Sequence, residues 1–362
     1  MSRKNKKSGS SSKGGFGKID DETDADADAD ADSDDETDEE SKPTTNTMKS
    51  SPAGSIYSRP ALYDLAFGYR NYEEEVKFLL ASHDKYSTGE NTGAVSGSMN
   101  IIELAAGPAR HTITALRNYS PRLASCTAVD LSSDMVKYSN EIADMELGDA
   151  GSGGMRDRFE YMLGDMRTLS SDSNSKSLIK PGSMDAAWIL LGSMQHLTKN
   201  DDVISCFSST SELLREGGTL TIELPHPRET FTMVECTRNG WEVPLEDEDG
   251  EEYGELKIIW GDDDDEFDPI RQVRDFTVAM DLTISEDMKD QASANGDDLT
   301  SVKEIVPMRL FTYQEIEIMA RVAGFEITDL YGALSDEVDV NSDDEAFRLV
   351  CILRKVRSPL EM

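Results

Sequence analysis

The stretch that decides the fold is "NIIELAAGPARHTITAL", residues 100–116. An apolar run around Glu103, a short Ala/Gly turn and apolar residues at helical spacing predict a strand, a tight turn and a helix. A dinucleotide-binding loop needs small residues at the three positions of G-x-G-x-x-G, which here hold Ala105, Gly107 and Arg110. Because an arginine at the third position obstructs the close approach of helix and strand, the loop argues against NAD or FAD.

An acid at the end of the second predicted strand complements this turn. Asp130 lies 23 residues after Gly107, and an acid at that place can accept both hydroxyls of a ribose. The turn and the acid together predict a nucleoside ligand without a diphosphate. Either signal alone is weak, because any buried βαβ unit could supply one of them.

Apolar runs and amphipathic stretches alternate along the chain. Helical spacing covers residues 109–119, 132–147 and 198–218, with Ser132 or Ser133 capping the second helix and Gly217 or Gly218 closing the third. Strands that alternate with helices predict a parallel sheet covered on both faces, which binds ligands at the carboxyl ends of its strands. The predicted strands are residues 100–105, 125–131, 159–165, 184–191 and 218–225.

Five segments, in this order and with ordinary spacing, resemble the motifs of class I S-adenosylmethionine-dependent methyltransferases of the small-molecule type: "IIELAAGPARHT", "AVDLSSDMV", "YMLGDMRTL", "MDAAWILLGSMQHL" and "LLREGGTLTIELP". The resemblance covers roughly residues 57–357. It implies a Rossmann-like seven-stranded α/β sheet, mostly parallel with an antiparallel last strand, and S-adenosyl-L-methionine as the cofactor. The chain departs from the family where Ala105 and Ala109 replace common glycines, which predicts a slightly tighter loop that still binds.

The resemblance also implies roles for single residues. Glu103 would hold the loop and the ammonium end of the cofactor, directly or through water, and Asp130 would bind the ribose. Glu103 and Asp165 have an alternative role as caps of a helix or turn. The other implied cofactor contacts are Ala105 to Gly107 beneath the methionine part, Leu131 and Met135 near the adenine, Asp165 at its amino group, Met166 at a ring nitrogen, and Leu190 near the sulfonium.

Residues 55–71, called here the tyrosine-rich segment, precede an amphipathic helix predicted near residues 72–82. They resemble the segment that folds over the cofactor in small-molecule members of the family. The resemblance implies a cofactor contact for Tyr63 and places in the acceptor pocket for Tyr57, Tyr69 and Arg70. The alternative is a hydrophobic seam whose tyrosine hydroxyls are solvated.

Residues 227–310 break the alternation of strands and helices. Segments 255–261, 271–285 and 300–311 predict strands, and apolar side chains alternate strictly from Phe276 to Ile284. This predicts an antiparallel β flap, inserted after the fifth strand and apolar on one face, which covers an acceptor site. An interface or a structural cover is the alternative role.

The sequence after the flap predicts one more helix, and together these features divide the chain into four predicted regions. "TYQE", residues 312–315, predicts a capping box that begins a helix ending near Gly324. The predicted organisation is a disordered basic-then-acidic tail at residues 1–54, a cofactor-binding core at 55–226, the flap at 227–310, and a C-terminal completion of the core at 311–362.

The charge distribution separates the tail from the rest of the chain. Residues 20–40 hold 14 acids and no large apolar side chain, so burial cannot offset the entropy of ordering them. Of the net charge of −36, residues 1–54 carry −6 and residues 55–362 carry −30. Because so acidic a surface repels phosphate backbones, a nucleic-acid partner is disfavoured.

Cysteine spacing and hydropathy bear on the compartment. Cys126, Cys206, Cys236 and Cys351 form no C-x-x-C pair, which predicts buried thiols, no structural zinc and a reducing, cytoplasmic compartment. The Lys-rich start also bears a weak similarity to nuclear or organellar targeting segments. No apolar run reaches about 18 residues, so no membrane-spanning helix is expected.

Two histidines that follow predicted strands, His196 and His226, are candidate bases for a protonated acceptor, with a structural role as the alternative. The favoured function is methyl transfer to an N or O atom of a small-molecule acceptor, without a metal. A covered pocket and an acidic surface favour that acceptor class. Methylation of a Lys- or Arg-rich protein comes second, and a non-catalytic, cofactor-binding partner protein is the third hypothesis.

Overall fold

A computed structural model describes residues 55–89, 99–151, 153–171, 179–228, 239–247, 250–285 and 301–360. The predicted disordered tail, residues 1–54, lies outside these ranges, as does Cys236. None of the helices within them is long and apolar enough to cross a membrane.

The described residues form six α-helices and twelve strands. The helices are α1 Pro60–Phe67, α2 Tyr72–Tyr86, α3 Arg110–Tyr119, α4 Ser133–Leu147, α5 Asn200–Leu213 and α6 Tyr313–Val322. The strands are β1 Met99–Leu104, β2 Leu123–Asp130, β3 Phe159–Leu163, β4 Met184–Ile189, β5 Leu214–Pro225, β6 Asn239–Glu246, β7 Glu252–Trp260, β8 Phe267–Asp268, β9 Val273–Ile284, β10 Val302–Arg309, β11 Phe325–Tyr331 and β12 Arg348–Lys355.

Seven strands form the main sheet in the order β11-β12-β5-β4-β1-β2-β3. The pairs β1–β2, β1–β4, β2–β3 and β4–β5 are parallel. The last strand, β12, runs antiparallel to both β5 and β11. The predicted Rossmann-like sheet with an antiparallel last strand is therefore confirmed. The strand order reverses between β1 and β4, so a crevice opens at the carboxyl ends of these strands.

Of two predicted helix ends, the cap of α4 is confirmed and the closure of the third helix is not. Ser132 caps α4, since its Oγ accepts a hydrogen bond from the Met135 amide at 3.3 Å. The predicted closure of the third helix at Gly217 or Gly218 is wrong, because α5 ends at Leu213 and β5 begins at once. Gly217 lies within β5 with φ +73°, and a Cβ there would overlap the Thr88 carbonyl. The glycine thus permits a close approach to the end of α2 instead of ending a helix.

A second, antiparallel sheet of five strands contains the predicted flap. Its path is β10-β9-β7-β6, and β8 pairs with β9. Phe276, Val278 and Met280 of β9 are buried in one apolar cluster, as the alternation predicts. Strand β6 was not predicted, because Pro244 and the acids Glu242 and Glu246 interrupt the apolar residues of this segment. Flap residues 229–238 and 286–300 lie outside the described ranges.

The apolar face of the flap packs on the tyrosine-rich segment. Ile56, Leu62 and Ala66, each fully buried, belong to the same cluster as the core of β9. Trp241 of β6 also donates its indole N–H to the Ala66 carbonyl at 2.8 Å. The segment and the flap therefore form one packed unit, which lies at the edge where the parallel strands end.

The C-terminal part of the core begins as the sequence predicts. Thr312 Oγ1 and the Thr312 amide both bond Glu315 Oε2, at 2.7 and 2.9 Å, in a capping box for α6. After α6, Gly324 adopts φ +87° and leads into β11.

Candidate active site

A cavity of about 750 Å³ lies at the carboxyl ends of the parallel strands. Its walls come from the turns that follow β1 to β4, from the tyrosine-rich segment, and from β7 and β10 of the flap. We call the wall formed by the turns after β1, β2 and β3 the cofactor end. The acceptor end is the wall formed by Tyr57, His196, Trp260, Glu304 and Met308.

Asp130 occupies the centre of the cofactor end. Its Oδ2 accepts the Gly107 amide at 2.9 Å and its Oδ1 accepts the Ser132 amide at 2.8 Å. Burial raises the pKa of Asp130, although the amides of Ser132 and Gly107 oppose the rise by stabilising the carboxylate. Each carboxylate oxygen can accept a second bond, so the side chain can receive two hydroxyls from a ligand.

The turn after β1 has left-handed backbone at Gly107 and at two of its three alanines. Ala105 has φ +52°, Gly107 +52° and Ala109 +53°. Glycine adopts this conformation without a steric penalty, whereas alanine does so at a cost. Hydrogen bonds hold the turn in this strained form, including the Ala106 amide to the Val129 carbonyl at 2.9 Å. Ala105 and Gly107 both line the cavity.

Glu103 lies behind the turn and does not line the cavity. Its side chain is buried, and Oε2 accepts the Thr112 amide at 3.1 Å and the Thr112 hydroxyl. Its Oε1 lies 3.4 Å from His111 Nδ1. Glu103 thus holds the start of α3, and its carboxylate lies behind the turn and not in the cavity wall.

His111 connects Glu103 to a second buried acid. Its Nε2 lies 2.8 Å from Glu75 Oε2. Burial alone would lower the pKa of His111, but the hydrogen bonds and charges of Glu103 and Glu75 outweigh it and raise the pKa to about 9. The imidazole is therefore cationic at neutral pH and joins α3 to α2.

Arg70 continues this chain of charges and lies outside the cavity. Its guanidinium is 3.0 Å from Glu75 and 3.1 Å from Glu223, and the side chain is only 7% exposed. Glu223 Oε2 in turn accepts the Leu191 amide at 2.9 Å. Arg70 was predicted to contact the acceptor, but it does not line the cavity, and two carboxylates already satisfy its guanidinium. Its role is to tie α2 to the end of β5.

Tyr69 also lies away from the cavity. It is 64% exposed and packs edge-on against Trp241, with ring centroids 6.1 Å apart. Both residues line an open cleft of about 1360 Å³ between α1 and β6. Tyr69 was predicted to lie in the acceptor pocket, and the structure places it outside the cavity wall because the segment turns outward after α1.

The predicted adenine contacts converge at the cofactor end. Leu131, Met135, Asp165 and Met166 all line the cavity. Asp165 is paired with Arg167, whose Nη2 lies 2.6 Å from Oδ2. Its oxygens keep further acceptor capacity for a ligand amino group.

Leu191, not Leu190, lines the cavity after β4. Leu190 is buried in the core, and Leu191 adopts φ +53° with its amide bound to Glu223. The motif implies that Leu190 follows the strand into the cavity. In the structure the left-handed residue Leu191 takes that place, one position later. Ser193 Oγ also bonds the Leu190 carbonyl at 2.8 Å, which holds the turn in place.

Two tyrosines and His196 form a contact in the cavity wall. Tyr57 Oη lies 2.8 Å from His196 Nε2, and the Tyr57 and Tyr63 rings are 5.9 Å apart between centroids. His196 is exposed to the open cavity, and desolvation by the surrounding protein atoms lowers the pKa of its imidazole, which is therefore neutral at physiological pH. Tyr63 also lies beside Gly107, with its Cε1 3.8 Å from where a Cβ of that glycine would be.

His226 lies outside the cavity wall, with both ring nitrogens engaged. Its Nε2 is 2.9 Å from the Val340 carbonyl, and Nδ1 accepts the Arg228 amide at 3.2 Å. These bonds fix the tautomer with the proton on Nε2. Both bonds are made to backbone atoms, which is consistent with a structural role for His226.

The sequence did not single out Trp260, Glu304 and Met308. All three belong to the flap and line the cavity. The alternating face of β10 carries Val302, Val306 and Met308, and Glu304 interrupts it. A lone acid on an apolar strand face is the signal that could have identified this residue.

Comparison with known proteins bears on the fold. No protein-family profile matches the chain, and no curated protein matches it. Among solved structures, an S-adenosylmethionine-dependent methyltransferase from Clostridium acetobutylicum aligns with a TM-score of 0.56 at 14% identity, covering 81% of this chain and 96% of that chain.

Two further solved structures resemble the chain to a similar degree. CalS10 from Micromonospora echinaspora, an amino pentose methyltransferase with S-adenosylmethionine bound, has a TM-score of 0.53 at 15% identity, over 81% of this chain and 96% of that chain. The sugar N-methyltransferase KedS8 from Streptoalloteichus has a TM-score of 0.55 at 12% identity, over 88% of this chain and all of that chain. The chain has the fold of the S-adenosylmethionine-dependent methyltransferases.

Proposed function

We propose that the protein transfers a methyl group from S-adenosyl-L-methionine to an N or O atom of a small molecule. The observation that carries this proposal is the geometry of Asp130, whose carboxylate is anchored by the Gly107 and Ser132 amides and lines the cavity. A buried acid with spare acceptor capacity beside a tight, small-residue turn suits a ribose and a chain without phosphates.

The residues of the cofactor end fit the parts of this cofactor. Asp130 would accept the ribose hydroxyls, and Leu131, Met135 and Met166 would pack around the adenine, with Asp165 at its amino group. Ala105 and Gly107 leave room for the methionine part, and Tyr63 closes it from the tyrosine-rich segment. When bound, the cofactor supplies a methyl group on a sulfonium, whose sulfur keeps the electron pair of the broken C–S bond.

The enclosure of the cavity supports a small acceptor. Its volume of about 750 Å³ lies in the range of small-molecule sites, and the flap and the tyrosine-rich segment both contribute to its walls. The protein's task is then to align the acceptor atom with the methyl group and to exclude water. The net charge of −30 on residues 55–362 also disfavours a nucleic-acid acceptor.

His196 is the histidine that we assign to the acceptor. It lies in the cavity wall, is neutral at physiological pH and can accept a proton once its contact with Tyr57 rearranges. His226 is given no role in the chemistry, because both of its nitrogens bond the backbone. We place the reaction in the cytoplasm, since Cys126, Cys206 and Cys351 are free buried thiols that suit a reducing compartment.

Calorimetric titration of the full chain tests the cofactor. We expect S-adenosylhomocysteine to bind and NAD not to bind, because the turn offers no site for a diphosphate. The His196→Ala variant should bind S-adenosylhomocysteine within about two-fold of the wild type, since Asp130 supplies the charged hydrogen bonds. Binding of NAD, or no binding of S-adenosylhomocysteine, would contradict the assignment.

Incubation of metabolite extract and of protein extract with methyl-labelled cofactor tests the acceptor. We expect label in the small-molecule fraction, at a rate that falls by about 10²-fold or more in His196→Ala if this residue takes the acceptor proton. Label on polypeptides alone would favour protein methylation. No label in either fraction, despite tight binding, would favour a non-catalytic protein.

A further inference from the structure

The acceptor end of the cavity presents a carboxylate and an indole on the same face of the flap. The strand register pairs Trp260 of β7 with Val278 of β9, and Val278 with Glu304 of β10. Residues directly opposite each other in a sheet point to the same side. Trp260 and Glu304 are therefore two strand spacings apart, roughly 10 Å, and both line the cavity.

The charges that line the cavity favour one kind of acceptor. Its described walls carry three acids, Asp130, Asp165 and Glu304, and one strong base, Arg167. Arg167 already pairs with Asp165 at 2.6 Å and with Asp202 at 3.0 Å. His196 is neutral, as shown above. An anionic acceptor would therefore meet Glu304 without a compensating cation, whereas a cationic acceptor would be attracted.

We propose that the acceptor is an amine, bound as an ammonium by the Glu304 carboxylate and faced by the Trp260 ring. This inference rests on the proposed methyl transfer and names the substrate class of the same site. A carboxylate forms its strongest hydrogen bonds with a charged donor, and an indole attracts a cation over its face. The two groups flank Val278, which is fully buried in the sheet between them.

Glu304 would also act on the charge that moves during the reaction. The nitrogen must hold its lone pair when it reacts, so the bound ammonium first releases one proton to the His196 imidazole, which passes it to the solvent. The lone pair then forms the new N–C bond as the C–S bond breaks, and the electron pair of that bond stays on the sulfur. The nitrogen gains a positive charge and loses it by releasing a second proton by the same route. A carboxylate near the nitrogen stabilises that charge as it develops.

Glu304 also makes bonds within the protein, and these define the control. Its Oε2 accepts the Ile56 amide at 2.8 Å, and its Oε1 accepts the Ser55 hydroxyl at 3.4 Å. A purely structural role would need these acceptors but not the charge. Glu304→Gln keeps a carbonyl oxygen for the Ile56 amide and removes the charge. The matched control is Glu255→Gln. Glu255 lies on β7, as Trp260 does, but the two side chains point to opposite faces of the sheet, so Glu255 points away from the cavity.

A binding experiment isolates the amine subsite from turnover. The full chain is saturated with S-adenosylhomocysteine and titrated with benzylamine and with benzyl alcohol, its neutral counterpart. We expect wild type and Glu255→Gln to prefer benzylamine by about ten-fold, and Glu304→Gln to lose that preference while still binding S-adenosylhomocysteine. No preference for benzylamine in the wild type, or an unchanged preference in Glu304→Gln, would overturn the inference.

A labelling experiment separates this inference from the proposed function. Metabolite extract is divided, one half is treated with N-hydroxysuccinimidyl acetate to acylate its amines, and both are incubated with the protein and methyl-labelled cofactor. Loss of most of the label after acylation supports an amine acceptor. Equal label in both halves refutes the amine and leaves methyl transfer intact, whereas no label in either refutes both.

Discussion

The two ends of the cavity are built in different ways. At the cofactor end, Asp130 bonds the Gly107 amide, and the two residues are separated by 23 positions along two adjacent parallel strands. At the acceptor end, Glu304 bonds the Ile56 amide across 248 positions, and Trp260 lies on a strand between them. The first end depends on short turns after parallel strands, and the second depends on how the flap packs on the tyrosine-rich segment.

This difference shows that the flap is more than a removable cover. Its apolar face buries Ile56, Leu62 and Ala66, so removal of the flap would expose them and release Tyr57 and Tyr63 from the cavity. Single substitutions that keep this packing therefore separate the two ends more cleanly than a deletion.

The largest effect is expected at the cofactor end. Asp130→Ala removes the acceptor of the Gly107 and Ser132 amides and of the ribose hydroxyls. Affinity for S-adenosylhomocysteine should fall by about 2–3 kcal/mol, or about 30- to 150-fold, because hydrogen bonds to a charged group are lost. Calorimetric titration measures the change. Glu141→Ala, an exposed acid on α4, is the control, and unchanged affinity in Asp130→Ala would refute the ribose assignment.

An effect of similar size should appear in the pH dependence of stability. His111 has a pKa of about 9 in the folded chain, raised from 6.5 by Glu103 and Glu75 despite its burial. Its contribution is complete below pH 6.5 and is lost as the pH rises towards 9, because the unfolded chain releases the proton first. A shift of this size corresponds to about 3 kcal/mol, so the free energy of unfolding should fall by about that amount across the window.

Urea denaturation of wild type and His111→Gln from pH 6 to 10 measures this contribution. The difference in unfolding free energy between the two proteins should shrink as the pH rises. His83→Gln is the control, since burial lowers the pKa of His83 to about 4 and places its titration below the window. A difference that does not vary with pH would refute a cationic His111 that supports the turn.

The smallest effect concerns backbone strain in the turn of the cofactor end. Ala105→Gly should raise the free energy of unfolding by about 0.5–1 kcal/mol, because glycine adopts φ +52° without the penalty that alanine has there. Ala106→Gly is the matched control. Ala106 does not have a left-handed backbone, so glycine there relieves no strain and should lower the stability by increasing the entropy of the unfolded chain. Thermal or urea denaturation measures both, and a destabilised Ala105→Gly would contradict strain at this position.

Most of the main sheet and of the cofactor end could be predicted from the sequence. The turn at Ala105 to Gly107 and Asp130 at the end of β2 follow from local patterns, and the antiparallel last strand follows from the family resemblance of the ordered motifs. The exact positions of helix ends and of cavity-lining residues were harder to predict from the sequence. The close approach at Gly217 and the cavity position of Leu191 involve Thr88 and Glu223, which lie far away along the chain.

The sequence by itself determined the alternating strands and helices, the tight turn and the acid beside it, because a period in apolar residues and a short-range turn need only neighbouring positions. Only the tertiary structure decided that Arg70 pairs with Glu75 and Glu223, that Glu103 holds α3, and that Glu304 lies in the cavity. A buried charge takes whichever opposite charge or donor the packing brings within hydrogen-bonding distance. That partner is set by the sheet register and the packing of the flap, which no local pattern contains.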